Sequence, residues 1–68
     1  MLGTTQAVIT ALGGPPAMVE LSGRTYKSVW VWKSSNKFPA WTYLKIQNAL
    51  KARGLEADPA LWGMEENP

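Results

Sequence analysis

The twenty residues from Pro15 to Ser34, PPAMVELSGRTYKSVWVWKS, set the expected architecture. Pro15 and Pro16 suit the first turn of a helix, where a backbone N–H would have had no partner within the helix. Ala17 to Ser22 continue it. Gly23 is placed to end it, because glycine enters the left-handed conformation that closes a helix without a Cβ penalty. Thr25 can cap a following helix that runs through Trp32 or Ser34, with Val29 and Trp32 three apart on one face. The run Val29-Trp30-Val31-Trp32 also has strand propensity and is too short for periodicity to settle, but no second strand is available to pair with it. Two short helices joined at Gly23 are therefore expected, with Met18 and Leu21 facing inward from the first and Val29 and Trp32 from the second.

The flanking segments read as further helices. Thr4 to Leu12 opens on threonines able to cap a helix, places Ala7, Val8, Ala11 and Leu12 at helical spacing, and ends at Gly13-Gly14. Ser34 to Lys37 is loop-like, and Phe38-Pro39 restarts the chain. Ala40 to Arg53 has the pattern of an amphipathic helix, with Trp41, Leu44, Ala49 and Leu50 inward, Tyr43 and Ile46 flanking them, and Gly54 beyond the end. Asp58-Pro59-Ala60-Leu61-Trp62 reads as a capped single turn that delivers Leu61 and Trp62 onto the bundle. The expectation is one all-α domain over residues 1–63, a compact bundle of four to five helices, followed by a frayed acidic tail over 64–68.

Composition removes several function classes. The 68 residues include no cysteine and no histidine, so a disulfide framework, a zinc finger and an imidazole base are all excluded. The few carboxylates lie away from any expected cleft, and Gly13-Gly14 lack the Lys-Ser/Thr of a phosphate-binding loop. The chain is not expected to be an enzyme or to carry a metal or cofactor. Met1 to Gly14 lacks the basic start of a secretory signal, and no apolar run approaches membrane-spanning length, so a cytoplasmic location is expected. A membrane-surface role for the fourth helix is set aside because Trp41 and Leu44 are needed inside.

The net charge of +2 conceals an uneven distribution. All seven basic residues (Arg24, Lys27, Lys33, Lys37, Lys45, Lys51 and Arg53) fall between positions 24 and 53, a stretch with no Asp or Glu, while four of the five acids follow it. Such a block favours a polyanionic partner, since each cation that neutralises a phosphate releases counterions. A solvated basic surface is the plainer reading.

With Met18 and Val19 upstream, the spacing of Gly23, Val29 and Trp32 resembles the helix-turn-helix signature of Cro/CI-like phage repressors. The run from Trp32-Lys33-Ser34 through Lys37-Phe38-Pro39-Ala40 is similar to the tryptophan, basic loop and Ile/Phe-Pro-Ala of many small phage-type regulators. The resemblance covers about Thr5 to Arg53. The chain departs from the pattern at Val19, usually Ala, at Ser22, usually apolar, and at Arg24, usually Val, Ile or Met. The resemblance implies a lambda-repressor-like fold and a sequence-specific regulator that binds double-stranded DNA, as a homodimer, through a recognition helix at about Thr25 to Ser34 in the major groove.

It further implies DNA-binding roles for Arg24, Thr25, Tyr26, Lys27, Ser28, Trp30, Val31, Lys33 and Lys37. Thr25, Ser28 and the helix N-terminus would meet phosphate, and Tyr26 and Lys27 would face base edges. Trp30 and Val31 offer apolar contact to thymine methyl groups, while Arg24, Lys33 and Lys37 would hold the DNA backbone. Tyr26 could equally pack along the bundle surface, and Trp30 could be buried against the carboxy-terminal segment or fill a dimer interface. Lys45, Lys51 and Arg53 read as a solvated face. The alternative from another class is a protein-interaction module on the same scaffold, with Tyr26, Trp30 and Val31 as anchors for a protein partner.

Overall fold

A computed structural model describes residues 1–63, and the expected acidic tail over 64–68 lies outside the described residues. Four α-helices follow one another: α1 (Thr5–Ala11), α2 (Pro15–Ser22), α3 (Tyr26–Ser35) and α4 (Tyr43–Lys51). Short 3-10 turns occupy Ala40–Thr42, immediately before α4, and Pro59–Trp62 near the carboxy-terminal end. The architecture is all-α, and among the described residues no helix is long and apolar enough to cross a membrane.

Local chemistry accounts for most of the helix limits. The Thr4 hydroxyl accepts the Ala7 N–H and starts α1, and the Thr25 hydroxyl does the same for Ser28 in α3. Pro15 and Pro16 form the first turn of α2, and Gly23 closes it at φ 71° with its N–H on the Val19 carbonyl. Asn36 ends α3 at φ 56°, the one non-glycine residue with positive φ among those described. The Asp58 carboxylate accepts the Ala60 N–H and opens the second 3-10 turn, which carries Leu61 and Trp62 into the core as expected.

The core draws on every element. Val8 and Ile9 from α1 and Leu12 just beyond its end meet Met18 from α2, Val29 and Trp32 from α3, and Ile46 and Leu50 from α4, with Phe38, Ala57, Leu61 and Trp62 closing it. Phe38 stacks on Trp62 with centroids 5.1 Å apart, and Tyr43 and Trp32 meet this aromatic pair edge-on. In α1 and just beyond its end the inward set is Thr5, Val8, Ile9 and Leu12, whereas Ala7 and Ala11 are half-buried rather than central.

The fourth helix corrects the sequence expectation. Trp41 and Leu44 are not inside: they are 46% and 69% exposed. The buried series is Thr42, Ile46 and Leu50, spaced four apart on one face. Thr42 can be buried because its hydroxyl donates to the Pro39 carbonyl at 2.7 Å and accepts the Trp62 indole N–H at 2.9 Å. That pair of bonds fixes the phase of the helix and turns Trp41 and Leu44 outward. Trp41 and Leu44 are thus not needed inside, and their burial does not keep this helix off a membrane surface.

Two further ties lie outside the helices. Leu2 runs beside Ala57, donating its N–H to the Glu56 carbonyl and accepting the Asp58 N–H, both at 2.8 Å. Gln47 brackets Ala57 from α4, donating Nε2–H to its carbonyl at 2.9 Å and accepting its N–H at 3.2 Å.

Candidate nucleic-acid interface

The outward face of α3 is built from behind. Val29 and Trp32 are buried, which fixes the rotation of the helix about its axis. The C-terminal end of α3 is then fastened to the start of α1. The buried Thr5 hydroxyl donates to the Trp32 carbonyl at 3.0 Å, and the Thr5 N–H donates to Asn36 Oδ1 at 2.9 Å. The left-handed conformation of Asn36 accompanies this bond, and asparagine tolerates it better than most non-glycine residues.

With the back of the helix anchored, Tyr26, Lys27, Trp30, Val31 and Lys33 are all exposed. Positions 26, 27, 30 and 33 fall within one stripe at helical period. Tyr26 is 60% exposed and Trp30 64%, so neither packs into the bundle, and Trp30 is not buried against the described carboxy-terminal segment. Val31 is 52% exposed. The Lys33 ammonium lies 5.9 Å from the centre of the Trp30 ring. Tyr26, Val29, Trp30 and Lys33 line an open groove of about 270 Å³ whose other wall is Pro15.

At the N-terminal end, Thr25 is exposed, Ser28 is half-buried, and their hydroxyls lie 3.5 Å apart. The Thr25 hydroxyl is engaged in capping the helix by accepting the Ser28 N–H, which reduces its outward hydrogen-bonding capacity, whereas the Ser28 hydroxyl contacts only that of Thr25. Arg24 is exposed in the turn. Ser22, one of the departures from the repressor pattern, is buried because its hydroxyl donates to the Met18 carbonyl at 2.8 Å and accepts the Arg24 N–H at 3.3 Å. A polar residue at this apolar position is thus satisfied locally, and α2 keeps its inward side.

Lys37 lies beyond the end of α3, and its ammonium donates to the Ala60 carbonyl at 2.9 Å. Arg53 likewise donates to the Ala11 carbonyl at 3.4 Å. Sequence reasoning assigned neither of these bonds. It also missed the group around Trp41, where the Arg24 guanidinium lies 4.9 Å and the Lys45 ammonium 6.0 Å from the ring centre. The legible signal was the basic block itself, which holds Arg24 and Lys45 together with no intervening acid.

Among the described residues no group of three or more His, Cys, Asp or Glu side chains is arranged to hold a metal. Compared with known proteins, the chain matches no family model, no curated protein and no solved structure.

Proposed function

We propose that the protein is a cytoplasmic, sequence-specific double-stranded DNA-binding regulator, in which α2, the turn at Gly23 and α3 act as a lambda-repressor-like helix-turn-helix. One observation carries the reading. The exposed stripe of α3 pairs Lys27 and Lys33 with Tyr26, Trp30 and Val31, on a helix held from behind by Val29, Trp32 and the Thr5 bonds, within a stretch that has no acidic residue.

An α-helix with its side chains is about 10–12 Å across, which suits a major groove roughly 12 Å wide, and the ten residues of α3 give it about 15 Å to lie along that groove. Lys27 donates to guanine O6 and N7, Trp30 and Val31 meet thymine methyl groups, and Lys33 and Arg24 take phosphates. Thr25 serves chiefly as the cap of α3, and the Ser28 hydroxyl meets phosphate. A homodimer on two pseudo-palindromic half-sites supplies the contact area that one small module lacks.

Selection of bound sequences from a random duplex pool, followed by binding at several salt concentrations, tests the proposal. A symmetric motif and a fall in affinity of at least about tenfold between 50 and 200 mM salt, roughly what two phosphate contacts give, are expected. No enrichment together with no salt-dependent retention of duplex DNA overturns it.

The groove between Pro15 and the Tyr26–Trp30 pair favours a second reading, in which the same face takes an aromatic or aliphatic anchor from a protein partner. A co-purifying protein, with DNA binding no stronger than that of a generic basic peptide, selects it.

A further inference from the structure

Trp41 and Lys45 stand outside the recognition helix, and sequence reasoning placed the first in the core and the second on a passive solvated face. The structure gives them a different setting. The Trp41 ring packs edge-on against buried Trp32, with centroids 6.4 Å apart at 73°, so a rigid core residue fixes its position. Its exposed surface gathers two cations, Arg24 from the turn before α3 and Lys45 from the first turn of α4. Both cations belong to the stretch from 24 to 53, which contains no acidic residue.

We infer that Trp41 is a positioning residue, and that Arg24 and Lys45, gathered on its ring, form one phosphate-binding clamp beside the recognition helix. This rests on the DNA-binding reading and extends it to two residues outside α3. The physical case is entropic and electrostatic. A free arginine or lysine side chain loses rotamer freedom when it is fixed on a phosphate. A cation already resting on an indole has surrendered part of that freedom, while its N–H donors remain free to point outward. Two like charges held near one ring repel each other, and an anion that contacts both offsets that repulsion. The clamp joins the turn before α3 to the start of α4, so it reads backbone position rather than sequence.

The test measures duplex binding of the full chain against salt for the native protein, Lys45→Ala, Trp41→Leu, Arg24→Ala and the Arg24→Ala/Trp41→Leu pair, with circular dichroism as the folding control. Lys45→Ala is expected to make the slope of log affinity against log salt shallower by about 0.9, with the selected base preferences unchanged. Trp41→Leu keeps an apolar contact for Trp32 and is expected to weaken binding to all sequences by about two- to fivefold. In the Arg24→Ala background that loss should shrink, because part of what Trp41 does passes through Arg24.

If native binding is steeply salt-dependent but Lys45→Ala leaves the slope unchanged, the clamp is wrong and the DNA-binding reading stands. If Trp41→Leu, folded as the native chain, binds as tightly as native or loses equally in both backgrounds, the positioning role is overturned. Absence of duplex binding by the native protein removes the underlying reading, and the clamp with it.

Discussion

Two threonines buried in the core, Thr5 and Thr42, determine more of this structure than their residue type suggests. Both have no solvent exposure, and each is admitted only because its hydroxyl is satisfied. Thr42 stands between the Pro39 carbonyl and the Trp62 indole, so replacing it with the similarly shaped valine leaves the Trp62 N–H buried without an acceptor. A loss of about 1–3 kcal/mol is expected for Thr42→Val in urea denaturation. A drop in Tm of roughly 4–8 °C per kcal/mol should accompany it in a chain of this length. In a Trp62→Phe background there is no indole N–H to strand, and the same substitution should cost clearly less. Equal costs in the two backgrounds would show that the hydroxyl–indole bond does not hold the residue in place. These threonines also mark where the sequence was hardest to read. A pattern that counts threonine as polar cannot find Thr42, Ile46 and Leu50 as one inward face, and it assigns the inside of α4 to Trp41 and Leu44 instead.

At the level of elements, the helices were legible because their ends are written in residues with strong local preferences. Thr4, Pro15-Pro16, Gly23, Thr25 and Asp58 act where their chemistry requires, and α2 spans the residues expected from Pro15 to Ser22. The reach of side chains between elements was not legible, since nothing local to Thr5 announces Asn36 thirty-one positions away. Gly23 allows the turn to be tested. A Cβ there meets nothing within 4 Å, so the cost of Gly23→Ala comes only from holding an L-residue at φ 71°. About 1–2 kcal/mol is expected, and less for Gly23→Asn. A neutral Gly23→Ala, measured by thermal unfolding, would mean that the turn relaxes to another conformation. The α3 stripe carries its own contrast. Lys27→Ala should weaken specific binding and relax preference at one base position by about 1–3 kcal/mol of discrimination. Lys37→Ala should lower affinity for all sequences alike and flatten the salt slope. Because Lys37 also holds the Ala60 carbonyl, a small loss of stability should accompany that change. Competition between selected and mutated duplexes at fixed salt separates the two outcomes.

Across the whole molecule, a 68-residue chain without disulfides ties its amino-terminal segment to residues 56–58 through backbone and amide bonds rather than through a larger core. Leu2 pairs with the 56–58 segment, and Gln47 holds Ala57, which is itself fully buried. The α3 face is fastened elsewhere, by Thr5 and Asn36, so the molecule has two largely separate sets of ties. Gln47→Leu removes both bonds to Ala57 and leaves a buried N–H and carbonyl without these partners, a loss of about 1–3 kcal/mol. If the two sets are separate, local opening should be confined to the end that lost its tie. Amide exchange of Leu2, Ala57 and Asp58 should then accelerate more than that of Thr5, whose N–H is held by Asn36. Duplex affinity under native conditions should change little, because both side-chain bonds of Gln47 go to Ala57 and the bonds that hold α3 come from Thr5. Uniform acceleration of exchange at all of these amides, together with a matching fall in DNA affinity, would show that the terminal clasp and the α3 anchor open as one cooperative unit.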